Sequence, residues 1–252
     1  MHYHICEQDW KAIYTVLKTS SRLYTRSETK LRIFIEAIWY ITRSGCQWRL
    51  LPSDYGKWRS IHKRFKQWSD RGIWERLFDA IKQEQAPDTE HVMIDATIVR
   101  AHACSAGYRK NSQAEECLGR SKGGFTTKIN ALIDGLGYPL KFILAPGQRN
   151  DIVYAEALIQ DVTHAKVLAD KGYDSNHLIE VIQDQDCVAV IPSRRNRRHE
   201  RDHDRHIYKE RHLIECFFGK IKHFRRICSR FDKTAKAFMS FLHFVSVLIW
   251  LR

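Results

Sequence analysis

Three carboxylates stand where simple folding rules do not ask for them. Asp95 interrupts "VMIDATI", a β-branched run that otherwise reads as a buried strand. Asp170 ends the strand-like "KVLAD", and Gly172 turns the chain away just after it. Glu215 lies inside the helical stretch "IYKERHLIECFFGKIK" at 207–222. Taken singly, each has an ordinary explanation: acids at strand ends form caps and turns, and Glu215 follows Arg211 at i, i+4, a pair worth roughly 0.2–0.5 kcal/mol. Two strand acids and one helix acid can, however, converge on one edge of a sheet. Clustered carboxylates repel one another unless cations neutralise them, and an all-oxygen donor set suits Mg²⁺ or Mn²⁺. Two such ions, about 3.5–4 Å apart, would clamp the attacking and leaving oxygens of a phosphodiester.

The helix around Glu215 is amphipathic in a particular way. At about 100° per residue, Ile214, Phe217, Phe218, Ile221 and Phe224 form a continuous apolar face. Glu215 falls on its flank, in one stripe with Tyr208, Arg211, Gly219 and Lys222. The apolar face reads as the surface that docks the helix, and the stripe as what the docking holds in place.

The elements around these residues change character along the chain. Residues 1–86 read as all-helical. "LRIFIEAIWYI" (31–41) is apolar nearly all round, and "GCQWRLLP" (45–52) interrupts it. "KWRSIHKRFKQW" (57–68) then repeats Trp58, Ile61, Phe65 and Trp68 at helical spacing. Arg59, Lys63, Arg64 and Lys66 fill its other faces, so a helix-turn-helix-like DNA contact is expected there. "KQEQAPDTE" (82–90) reads as a linker. From residue 91 five β-branched runs follow, with a hairpin at Asp134-Gly135 and helices after the third and fourth runs, the first of them capped by Asn150 or Asp151. We expect an α/β domain over 87–252, a mixed five-stranded sheet flanked by helices and compatible with a ribonuclease H-like fold, behind a small all-α domain over 1–86.

Charge separates the same regions. Lys and Arg number 42 against 29 Asp and Glu, a formal +13. The net is +7 over 1–86, −4 over 87–192 and +10 over 193–252. Basic ends point to a polyanion, and the acidic middle to cations beside it. The seven Cys show no CxxC spacing, and the N-terminus has no apolar leader, so reduced thiols in a cytoplasm are expected. "FMSFLHFVSVLIW" (238–250) is too short to span a bilayer and reads as a buried terminal helix, which leaves nucleic acid as the polyanion.

Ahead of the Glu215 helix lies "SRRNRRHERDHDRH" (193–206), with six Arg and no apolar side chain. It is a solvated loop or a DNA contact through Arg194, Arg195, Arg197 and Arg198. Its histidines His199, His203 and His206 are separated by arginines with no Cys near, a poor pattern for zinc.

The chain resembles the DDE transposases of bacterial insertion sequences, within the insertion-sequence-five group. "IDATIVRAH", "GRSKGGFTTKINALID" continuing to "GYPLKFILAPGQRND", "ADKGYDS" and "YKERHLIECFFGKIKHFRRICSRFDK" carry the resemblance. The last holds the family's Tyr, Arg, Glu, Lys signature as Tyr208, Arg211, Glu215 and Lys222. Ala96 stands after Asp95 where Ser or Thr is more usual. The resemblance implies a ribonuclease H-like fold and a metal-binding triad of Asp95, Asp170 and Glu215 holding Mg²⁺ or Mn²⁺, as two ions. It implies Arg211 and Lys222 near the DNA backbone, Tyr208 in support, and cleavage at terminal inverted repeats of double-stranded DNA. Transfer of the 3′-hydroxyl ends into target DNA would follow, with a homodimer on the paired ends. Two other readings remain: a DNA-binding regulator without catalysis, and a nuclease of the same fold indifferent to end sequence.

Overall fold

The computed structural model describes residues 3–19, 27–106, 115–121, 123–197 and 200–252; Arg198 and His199 lie outside them. Four helices come first: α1 (Glu7–Thr19), α2 (Glu28–Ser44), α3 (Trp58–Asp70) and α4 (Ile73–Glu84). Strands β1 (His91–Ala101), β2 (Gly119–Ser121), β3 (Gly124–Asp134) and β4 (Pro139–Pro146) follow. Then come α5 (Ala155–Ile159), β5 (Lys166–Leu168), α6 (Asn176–Asp184) and β6 (Val188–Val190). Helices α7 (His212–Lys222) and α8 (Ala235–Trp250) complete the chain. Among the described residues no helix is long and apolar enough to cross a membrane.

Two compact units result. One comprises Met1–Ala86, His102–Tyr108 and Ile221–Arg252; the other comprises Pro87–Ala101 and Arg109–Lys220. The C-terminal helix thus belongs with the N-terminal helices rather than with the sheet that precedes it in sequence. Its composition explains why. Phe238, Phe241, Phe244, Val245 and Leu248 are all buried, and α3 and α4 supply aromatic partners. Phe65 stacks on Phe241 at 4.3 Å, and Trp74 meets Phe244 edge-on at 5.4 Å. Each such side chain contributes roughly 1.5–3 kcal/mol on burial. Ser27 caps α2 by accepting from the Lys30 amide, and Gly45 ends it in the left-handed region (φ 68°).

The second unit is a mixed sheet. β3 runs antiparallel to both β1 and β4, while β5 is parallel to β1 and β6 parallel to β5. The order across the sheet is β4-β3-β1-β5-β6, with the short β2 pairing with the far end of β3. This is the α/β class expected, with seven strands among the described residues where five were expected; β5 and β6 have only three residues each. Asp134 builds the β3–β4 turn, its Oδ1 accepting from the amides of Leu136 (3.0 Å) and Tyr138 (2.7 Å). Period-two alternation sends Val92, Ile94 and Leu132 to one face, where Leu158, Ile159, Leu178 and Ile182 of α5 and α6 cover them. The helix expected at 150–162 forms only in part. A 3-10 turn, Asp151–Tyr154, precedes α5, and Asn150 stands at its N-cap without a side-chain capping bond. Asp151 instead pairs with Lys128 at 2.5 Å.

Candidate active site

The register of the sheet brings the two strand acids together. Val92 pairs with Val167 and Met93 with Leu168 in the parallel β1–β5 ladder. Continued by two residues, that register sets Asp170 alongside Asp95, and adjacent strands lie about 4.8 Å apart. Asp95 projects from the face opposite Val92 and Ile94. Asp170 caps the turn Lys171–Tyr173, its Oδ1 accepting from the Gly172 amide at 2.7 Å. A Cβ on Gly172 would stand 2.8 Å from that oxygen, so a larger residue there would push the Asp170 carboxylate aside.

Helix α7 supplies the third acid on the same face. Ala131 pairs with Asp95 across β1–β3, and Phe142 pairs with Ala131 across β3–β4, so all three share that face. Phe217 stacks on Phe142 at 6.0 Å, and Ile214, Phe217 and Phe218 are buried. The β3–β4 turn meets the helix at Gly137, whose positive φ of 87° favours glycine and where a Cβ would make ordinary contact with Leu213 at 3.6 Å. With the apolar face so engaged, the flanking stripe stands clear. Glu215 is exposed, and a Cβ added at Gly219 would meet nothing within 4 Å. Tyr208 and Arg211 are half-buried, and Lys222 ends the helix two turns beyond Glu215.

Arg211 joins the acids. Its Nη1 donates to Asp95 Oδ2 at 3.2 Å and its Nη2 to Glu215 Oε1, so one guanidinium spans the strand and the helix. Burial opposes the charge on Arg211, but the bond to Glu215 and the nearby Tyr208 and Asp95 more than offset it and raise its pKa. Asp95 moves the other way for a carboxylate, up to about 6. Burial is the main cause, and the charges of Asp170 and Asp151 add to it. The Ala96 amide and Arg211 pull it back only in part. One guanidinium therefore does not balance the negative charge gathered here. Tyr173, 1% exposed, sits within reach of the same charges; burial first, then Asp95, Asp151 and Asp170, push its pKa up. Its hydroxyl is buried without a hydrogen-bond partner among the described residues.

These residues fit a divalent cation in donor chemistry: hard oxygens, excess negative charge, and a cation already held between Asp95 and Glu215. Among the described residues no three His, Cys, Asp or Glu side chains are gathered closely enough to hold a metal ion as they stand. Arg211 occupies the space between two of the three acids.

The basic residues divide. On α3, Arg59, Lys63 and Lys66 are exposed on one side, whereas Arg64 lies over Phe34 (4.5 Å) and Trp68 (5.2 Å), and burial lowers its pKa. In the loop after β6, Arg194 and Arg195 are exposed and Arg197 is half-buried; Arg194 meets Asp174 through its backbone amide and Arg197 through its side chain. Sequence reasoning missed Asp151, Tyr173 and Asp174. Asp151 was read as a helix cap, and the other two follow Asp170 directly in "DKGYD", where a second buried acid so close was the available signal.

The chain matches two family models: one for the putative transposase of the IS4/5 family over residues 5–78, and one for the transposase DDE domain over residues 86–248. It is 40% identical over 129 residues to a putative transposase for insertion sequence element IS6501 of Brucella ovis, covering 50% of this chain and 99% of the relative. It is 28% identical over 135 residues to a putative transposase for IS402 of Burkholderia cepacia, covering 49% of this chain and 62% of that one. A more distant likeness is to the cryo-EM structure of the piggyBac transposase synaptic complex with hairpin DNA: TM-score 0.40, 16% identity, 77% of this chain and 48% of the other.

Proposed function

The chain belongs to the DDE transposase family, and from that premise we propose that it cleaves the terminal inverted repeats of its own element and joins the 3′-hydroxyl ends to target DNA. The observation that carries this reading is the single guanidinium of Arg211 bridging Asp95 of β1 and Glu215 of α7, with Asp170 just past the end of the β1–β5 ladder and its charge felt at Asp95. This arrangement supports a site shared by three acids distant in sequence.

In this reading Asp95, Asp170 and Glu215 hold divalent metal, Mg²⁺ or Mn²⁺, as two ions. Bound there, such ions supply charge neutralisation for the attacking and leaving oxygens of an in-line displacement. The protein's own residues do the rest. Asp95 and Asp170 are fixed by strand register, and Glu215 by the apolar docking of α7. Released from Asp95 and Glu215 when metal binds there, Arg211 would offer its guanidinium to a phosphate at the site, a fork geometry suited to phosphate oxygens. Tyr208 lies beside it, and Lys222 and the exposed Arg195 extend the cationic track along the backbone of double-stranded DNA. Arg59, Lys63 and Lys66 provide a second DNA-contacting face on α3. Two copies act on the paired ends, in the cytoplasm.

The test compares Mn²⁺-dependent nicking of inverted-repeat and scrambled duplexes by wild type and by Asp95→Asn, Asp170→Asn and Glu215→Gln. The expected result is repeat-specific nicking by wild type and loss in every variant with binding retained. Nicking indifferent to sequence would instead mark a general nuclease. Binding without nicking by wild type would mark a regulator.

A further inference from the structure

Asp174 lies one turn past Asp170, and only 2% of its side chain is exposed. The arginine-rich loop closes onto it. Oδ2 accepts from the Arg194 amide at 2.8 Å, and Arg197 Nε donates to both carboxylate oxygens, at 3.0 and 2.8 Å. Arg201 adds Nη1 to Oδ1 at 3.2 Å, and Asn176 Oδ1 accepts from Arg197 Nη1 at 2.9 Å and from Arg201 Nη2. Beyond this cluster the Arg194 side chain reaches back to the turn that Asp170 caps. Its Nε donates to the Lys171 carbonyl at 3.1 Å and its Nη2 to the Gly172 carbonyl at 2.5 Å. Gly172 is thus held from both sides, its amide by Asp170 and its carbonyl by Arg194.

A loop composed only for phosphate contact would present its guanidiniums outward, because each one bonded to a buried carboxylate is lost to the polyanion. Here Arg194, Arg197 and Arg201 each bond within the protein, Arg197 and Arg201 half-buried and Arg194 exposed, as Arg195 is. We propose that Asp174 and Arg194 are positioning residues: Asp174 folds the loop back, and Arg194 uses that anchor to fix the turn that orients the Asp170 carboxylate. This rests on the reading of Asp170 as a metal ligand. It also divides the arginines of the loop, Arg194, Arg197 and Arg201 being anchors and Arg195 a phosphate contact. Lys at 194 cannot replace Arg, since an ammonium is a point donor and the two carbonyls are met by two arms of one planar fork.

The test has two readouts on the full chain. The first is the salt dependence of binding to inverted-repeat duplex in chelator, free of metal and turnover. Arg195→Ala should lower the slope of log K against log[salt] by about 1, whereas Arg194→Ala should keep the wild-type slope. The second is Mn²⁺ affinity by calorimetry, which Arg194→Ala and Arg194→Lys should each weaken by about 10-fold or more, as loss of an outer-shell support does. Asp174→Asn should do the same; because it removes a buried charge and can unfold the chain, the Arg194 variants carry the test, with melting curves as the check on folding. A slope lowered by Arg194→Ala as much as by Arg195→Ala overturns the proposal, and so does wild-type Mn²⁺ affinity in the folded Arg194 variants. Wild-type protein that binds no Mn²⁺ overturns the underlying metal reading instead.

Discussion

Two arginine–carboxylate assemblies, one in each unit, show how differently this chain uses the same pair of groups. In the helical unit Arg226 and Asp232 are 5% and 8% exposed, and Arg226 donates to the two carboxylate oxygens at 2.7 and 3.1 Å and to the Cys46 carbonyl at 3.2 Å. Trp48, Phe231 and Phe241 enclose its guanidinium, with ring centroids 5.2–5.7 Å away. Charge is balanced and water is shut out. In the sheet unit Arg211 faces two acids with a third in register, Glu215 is 58% exposed, and Asp95 is pushed up to about 6, chiefly by burial. A sealed, neutral pair holds architecture together. An open one, with a second acid near Asp95, is held together by architecture.

That contrast can be broken by mutation. The largest stability effect is expected from Asp232→Ala, which leaves Arg226 buried and unpaired and should cost about 3–5 kcal/mol in chemical denaturation. Next comes His243, which burial lowers to about 4 from an ordinary 6.5 and which stacks on Phe78 at 5.4 Å. Its neutral form is the folded one, so the unfolded chain binds more protons between those values. Stability is full above pH 6.5 and falls as pH drops toward 4, by up to about 3 kcal/mol. Denaturation midpoints across that window should show a loss that His243→Phe removes. Asp95→Asn should act in the opposite direction to Asp232→Ala. In chelator at pH 8 it should stabilise the fold by about 1–2 kcal/mol, because it removes a carboxylate that burial and Asp170 disfavour. Equal destabilisation by both would erase the distinction between the two assemblies. Smallest is Lys63→Ala on α3, which should leave stability unchanged and reduce the salt slope of DNA binding by about 1.

Much of this was legible in the chain itself. The aromatic spacing in α3, the Asp134 turn and the flank position of Glu215 follow from periodicity, and the structure places them accordingly. What was not legible depends on side chains choosing partners across the fold. Asp151 looks like a helix cap in sequence but turns to Lys128, because a strand lysine with 10% exposure needs an anion. The Arg197 guanidinium looks solvent-bound until Asp174, buried beneath it, gives it a reason to turn inward, and the Arg194 backbone amide bonds the same carboxylate. The terminal helix looked like a continuation of the sheet domain, yet its aromatic faces match those of α3 and α4.

The central claim is that Asp95, Asp170 and Glu215 act as one divalent-metal site. Mn²⁺ titration of the inverted-repeat complex by calorimetry, with wild type and Asp95→Asn, Asp170→Asn and Glu215→Gln, tests it most directly. The account predicts saturable binding in wild type that each substitution weakens by at least about 10-fold. Wild-type affinity in any one of the folded variants would contradict it.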